Sequence, residues 1–302
     1  RRARVMGALN HSAGAHVRIA AEIVAIVATP AVLVGCAIAN FNQTAVLTLV
    51  VVLASIGVFF ASYEASRPRL RDIVPTVVLA ALAAAGRILF APIPDFKPVS
   101  AIAIIAGITF GRKSGFMVGA LAALASNFFF GQGPWTPWQM YAWGLVGYGA
   151  GLLAMVPAKQ RAVGAKASRR VRGGETLGMT CGSLCSVSAD GELESVASSP
   201  CQAHTGKENC AYAARRLIDA HPAIVYAYGF LACLGYGFIL NAWSILSFFH
   251  AQASGWAGIL AVYATALPFD IVHGVATVVF LLALYGPWRR KLERVRRKFG
   301  LS

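Results

Sequence analysis

FGRKSGFMVGALAALASNFFFGQGPWTPWQM, residues 110–140, joins a cationic turn to a long apolar run, and that run to a segment dense in glycine, proline and tryptophan. From Gly115 to Gly131 there is no charged residue and no polar face to turn toward water. A run of that kind needs an apolar solvent on every side, which is the signature of a membrane helix and not of a half-buried one.

The rest of the chain agrees. Of 302 residues, 57% are hydrophobic and 13% charged, with mean hydropathy +0.63, whereas soluble domains carry about 25% charged residues. Apolar runs near residues 19–39, 43–63, 73–92, 98–111, 115–131, 138–157, 222–249 and 256–286 predict eight spanning helices. Most reach the roughly 20 residues a span requires, the fourth being short. The expected fold class is an all-α polytopic membrane helix bundle. The first run lacks a small-residue cleavage site and a second run follows at once, so a cleaved leader is the weaker reading.

Net charge +15 raises the possibility of nucleic acid, and the distribution of the cations argues against it. With the N-terminus inside, every lysine and arginine except Arg87 and Lys97 falls on an inner segment. This asymmetry predicts cytoplasmic termini and short outer loops for a multi-pass cell-membrane protein. The tail PWRRKLERVRRKFG, residues 287–300, is expected to meet anionic lipids of the inner leaflet.

The chain divides into an N-terminal two-helix extension (1–66), four spans (67–157), a polar cytoplasmic insert (158–221), two further spans (222–288) and a basic tail (289–302). The insert has too few apolar residues for a core of its own and reads as mostly disordered. It carries Cys181, Cys185, Cys201 and Cys210. Their spacing lacks the paired short knuckles of common zinc modules, so free thiols are favoured over a metal site.

Gly111, Gly115 and Gly119 repeat at four, as do Gly147 and Gly151, which allows close helix approach inside the bundle. Ala80 with Ala84, or Ala81 with Ala85, forms a similar face, suited equally to packing inside the bundle or to meeting another protein. The first two spans lack such density and read as a peripheral addition.

On the expected topology the segment after Asn127 lies outside. Two prolines restrict its backbone, and Trp135 and Trp138 offer flat apolar faces with an indole donor. It reads as a stiff lid over a ligand, against the alternative of an interfacial aromatic belt. Arg87, Asn127 and Asn241 fall about 24, 20 and 30 Å from the inner ends at roughly 1.5 Å per residue, level with that segment. The expected outward pocket therefore combines the polar groups of Arg87, Asn127, Gln132 and Asn241 with walls from Phe96, Trp135, Trp138 and Tyr141. Asp270 and His273 share a face of the last span and read as buried polar support, pairing with each other near Pro268. No HExxH, GxSxG or facing carboxylate pair is present, and GITFGRKS (107–114) fails as a nucleotide loop, so neither an enzyme nor a resident cofactor is expected.

From Arg71 onward the chain resembles the substrate-specific (S) components of energy-coupling factor (ECF) vitamin transporters. The likeness rests on VVLAALAAAGRILF (77–90), APIPDFKPVSAIAIIAG (91–107), the opening stretch, and LPFDIVHGVATVVFLL (267–282). Among these proteins it most resembles the cobalamin S components. The resemblance implies a six-helix core behind the two N-terminal helices, and vitamin capture beneath the loops 93–100 and 131–138. It further implies partnership with a membrane coupling protein and two cytoplasmic ATPases through Ala80, Ala81, Ala84 and Ala85. A self-sufficient proton-coupled transporter using Asp270 and His273 is the alternative, and an intramembrane metalloenzyme built on His273 and the insert ranks third.

Overall fold

The computed structural model describes residue 17 and residues 19–32, 44–155, 218, 221–248 and 251–299. These residues form eight helices: α1 (Ile19–Val32), α2 (Thr44–Glu64), α3 (Leu70–Leu89), α4 (Val99–Phe110), α5 (Arg112–Phe130), α6 (Trp135–Leu153), α7 (Ala223–Phe248) and α8 (Ala251–Phe299). No strand occurs among the described residues. Among the described residues four stretches are long and apolar enough to cross a membrane, Leu70–Leu89, Arg112–Phe130, Ala223–Ile245 and Gly255–Phe299. The chain is a polytopic membrane helix bundle.

The short fourth run becomes the axis of that bundle. α4 has 12 residues, about 18 Å of helix at roughly 1.5 Å per residue, well below the ~30 Å of a hydrocarbon core. Its residues Val99 to Thr109 are all buried, because α3, α5, α6, α7 and α8 pack around it. A helix shielded by protein does not have to match the bilayer, so its length is free to fall short.

Close packing around this axis depends on absent side chains. A Cβ on Gly115 would fall on the Gly147 carbonyl, one on Gly147 would strike the backbone of Gly115, and one on Gly119 would meet the Trp143 carbonyl. α5 and α6 thus approach backbone to backbone, gaining dispersion contacts that lipid tails cannot replace.

The alanine face of α3 divides in two. Ala80 and Ala84 are buried against the bundle, whereas Ala81 and Ala85 are exposed beside Val74, Val77, Val78 and Leu82. A partner on this face can reach the second pair and not the first.

Two further expectations change. The connection after α5 is shorter than expected, since α6 begins at Trp135 with Pro134 as its N-cap. Pro137 sits in the first turn, where the missing N–H has no intrahelical acceptor to serve. The prolines that looked like loop stiffeners therefore start a helix. The N-terminal pair is also not peripheral. Ala25, Val52, Ile56 and Phe59 share a hydrophobic cluster with Phe116, Trp138, Tyr141 and Tyr148 of α5 and α6, and the Phe59 and Phe116 rings stack at 4.0 Å.

α8 is interrupted at Gly255 (φ 56°), passes Pro268 and Pro287, and carries the basic tail as helix to Phe299. Trp288 and Leu292 of that tail pack on the central cluster. Cys181, Cys185, Cys201 and Cys210 lie outside the described residues.

Candidate functional site

At the end of the bundle opposite the Arg112–Lys113 turn, α3, α6, α7 and α8 part around a cavity of about 320 Å³. Of the residues expected there, Arg87, Asn241, Asp270 and His273 line it. They are joined by Asp95 and Lys97 from the α3–α4 connection, Gln139 and Trp143 from α6, and Tyr236 and Gly237 from α7.

Arg87 is the anchor. It is 6% exposed, and its Nη1 donates to Ser126 Oγ at 2.6 Å and to Asn127 Oδ1 at 2.7 Å. The guanidinium carbon lies 4.7 Å from the Trp143 ring centre and 4.8 Å from that of Phe130, within cation–π range. Nη2 reaches Gln139 Oε1 at 3.4 Å. Among the described residues no carboxylate comes within ion-pair distance of Arg87, and its buried Nε has no acceptor. A buried cation that lines a cavity without a carboxylate partner favours an anionic or acceptor group there.

A carboxylate lines the same cavity. Asp270 Oδ2 accepts from Asn241 Nδ2 at 3.1 Å, while Oδ1 has no hydrogen-bond partner among the described residues. Gly237 makes room for it, because a Cβ there would overlap the Asp270 carboxylate. Between these groups stand Trp143 and Tyr236, with ring centres 4.7 Å apart. Ser100 Oγ accepts from Trp143 Nε1 at 3.1 Å and lies 3.0 Å from His273 Nε2. An indole N–H can only donate, so Ser100 accepts from Trp143, and the direction of its bond with His273 follows the imidazole tautomer. Asp270 and His273 thus bond to other helices and not to each other as expected.

At the mouth, Lys97 lies 3.8 Å from Asp95. Burial pushes the Lys97 ammonium below the usual lysine value, with Asp95 opposing and Arg87 reinforcing the shift. Asp95 adopts a left-handed conformation (φ 55°), which a short carboxylate tolerates better than a branched side chain.

The remaining expected residues sit elsewhere. Asn127 stands behind Arg87 and braces it, donating through Nδ2 to Thr136 Oγ1 and to Gln139 Oε1, both at 2.9 Å. Gln132 secures the α5–α6 connection, donating to the Leu124 carbonyl at 3.1 Å and accepting from Thr136 Oγ1 at 2.9 Å. Phe96 packs against Phe90 and Phe280. Trp135 supports the cluster beneath the N-terminal helices. Trp138 and Tyr141, expected as walls, face away from the cavity. Trp138 is fully buried in that cluster, and Tyr141 Oη donates to the Ala25 and Ile26 carbonyls, each at 3.2 Å.

One geometrical fact explains the exchange. Once α6 starts at Trp135, Gln139 and Trp143 share a face four residues apart, while Trp138 and Tyr141 fall on another. Taking Gly131–Trp138 as a loop hid that rotation, although the i, i+4 spacing of Gln139 and Trp143 was visible. Asp95 and Lys97 were visible as the charged pair of an otherwise apolar connection.

Residues 69–186 match the family model described as ECF-type riboflavin transporter, S component. No curated protein and no solved structure matches the chain. The matched segment begins at the N-cap of α3 and contains α3 to α6, hence Arg87, Lys97, Gln139 and Trp143. Tyr236, Asn241, Asp270 and His273 come from outside it. The match supports the likeness to ECF S components and gives no support to the cobalamin type in particular.

Proposed function

We propose that this chain is the membrane-embedded substrate-binding subunit of an ECF-type vitamin importer, and that its cavity takes a vitamin of flavin size. The observation that carries the reading is the buried Arg87 cation, without a carboxylate partner among the described residues, beside the Trp143–Tyr236 pair and lining a common cavity with Asp270. Flat ring, acceptor edge and donor edge are what such a set of groups selects.

Size bears on which vitamin. A cavity of about 320 Å³ stands at the small end of the roughly 300–1,000 Å³ typical of small-molecule sites. A corrinoid is several times larger than a flavin, so cobalamin would have to remain mostly outside the cavity. Riboflavin, named in the description of the matching family, is the first ligand to test. Arg87, Gln139, Trp143, Asn241 and Asp270 are the proposed contacts, with Asn127 positioning Arg87. The energy source would be partner ATPases reached through a coupling protein, with the cavity open to the external side.

The test is to purify the full chain in detergent, identify any copurifying small molecule by mass spectrometry, and titrate the protein with riboflavin and with cyanocobalamin. Saturable riboflavin binding, lost on Arg87→Met, is the expected result. Binding of the corrinoid alone would reassign the vitamin. Absence of binding by either, together with uptake into vesicles driven by a proton gradient without partner ATPases, would replace the reading by a self-sufficient transporter.

A further inference from the structure

At the opposite end of the bundle a second polar cluster has no part in the cavity. Glu22, in the first turn of α1, has no exposed surface. Arg112 Nη2 lies 3.2 Å and Lys113 Nζ 3.8 Å from its carboxylate. Tyr148 Oη donates to Oε2 at 2.7 Å, and Ser62 Oγ donates to Oε1. Lys113 Nζ also donates to the Ser62 carbonyl at 2.7 Å. One carboxylate therefore joins α1, α2, the start of α5 and α6.

A carboxylate enclosed in a low-dielectric bundle is strongly destabilising unless paired and hydrogen-bonded. Here the pairing runs between two parts of the chain with different standing. Arg112, Lys113 and Tyr148 lie inside the segment that matches the S-component family, whereas Glu22 and Ser62 lie outside it. The core offers the cations, and the N-terminal extension brings the acid. Further along, Tyr141 bonds to two α1 carbonyls, and Phe59 stacks on Phe116.

We propose that α1 and α2 act as an in-cis subunit that occupies the α5–α6 face, with Glu22 as the charged latch that holds the pair on the Arg112–Lys113 turn. Residues 19–32 and 44–64 are the occupant of that face, and ligand capture at the far end does not depend on the latch. The carboxylate matters for its charge as well as its shape, since a neutral side chain abolishes the ion pairs it makes with Arg112 and Lys113.

A protease recognition sequence inserted after Ser66, in the exposed α2–α3 turn, tests this in the full-length protein carrying a C-terminal affinity tag. After cleavage in detergent, the N-terminal fragment should stay with the tagged core over a range of salt concentrations. Glu22→Ala and Glu22→Lys should release most of it. Glu22→Gln, which keeps the shape, should release it at lower salt than the unsubstituted protein, and Glu22→Asp should restore part of the retention. Riboflavin titration of the uncut variants should be unchanged, which separates failure of the latch from failure of the binding reading. Release from the unsubstituted protein on cutting, or equal retention in Glu22→Gln and Glu22→Lys, overturns the proposal. Should Glu22→Ala not fold, the glutamine variant and Lys113→Glu supply the same readout.

Discussion

Asn127 and Arg87 are joined across the α3–α5 interface, with Arg87 Nη1 donating to Asn127 Oδ1 at 2.7 Å while the Asn127 amide nitrogen reaches α6. The asparagine orients the guanidinium, and Arg87 lines the cavity without a carboxylate partner among the described residues. Replacing Arg87 with Met should therefore weaken riboflavin binding by about 2 kcal/mol or more, the scale of a hydrogen bond to a charged group. Asn127→Ala should weaken it less and also lower the melting temperature. Equilibrium titration beside thermal unfolding in detergent separates the two. Equal affinities for Arg87→Met and the unsubstituted protein would remove Arg87 from the site.

Trp138 and Trp143 are five residues apart and face different surroundings. Trp143→Ala removes a cavity wall and should lower ligand affinity by about 1–3 kcal/mol, as truncated anchors do. Trp138→Ala should instead cost stability, about 3–5 kcal/mol for a buried tryptophan, while the folded fraction binds with unchanged affinity. Tryptophan quenching per folded molecule is the measurement. The reverse pattern would return Trp138 to the site and void the orientation of α6 described above.

Gly237→Ala places a methyl group where the Asp270 carboxylate lies. Strain of about 1–3 kcal/mol is expected, and relieving it requires Asp270 to leave its bond with Asn241. Affinity should fall along with that of Asp270→Asn, and the double variant should be little worse than the more damaging single one. Additive losses would mean that Gly237 acts independently of Asp270.

Ala81 and Ala84 provide a paired test of the α3 surface. Leucine at Ala84 has to displace packed neighbours and should destabilise the bundle by about 1–3 kcal/mol. Leucine at Ala81 points away from the bundle and should leave melting temperature and ligand binding unchanged while reducing uptake in vesicles that contain the partner subunits. Unchanged uptake in Ala81→Leu would exclude this face as the docking surface.

The N-terminal helices show why part of this architecture was not legible. Residues 19–39 register as a span by mean hydropathy, and an average over the window does not reveal that Glu22 is buried among two cations and two hydroxyls. That information resides in Ser62, Arg112, Lys113 and Tyr148, between 40 and 126 residues away in the chain. Arg87 was different. A lone cation in an apolar run is costly wherever it points, so its identity as a pivotal residue needed no partner to be known.

What the sequence determined by itself was therefore whatever follows from the solvent: an apolar chain becomes helices, and the glycine repeats permit close contact. Only the tertiary structure decided how each helix is turned. Rotation of α6 sent Trp143 to the cavity and Trp138 to the N-terminal pair, and rotation of α3 buried Ala84 while exposing Ala81. A helix in lipid has no hydrophilic side to fix its orientation, so that choice falls to backbone contact at Gly115 and Gly147 and to hydrogen bonds such as those of Asn127, which exist only once distant segments have met.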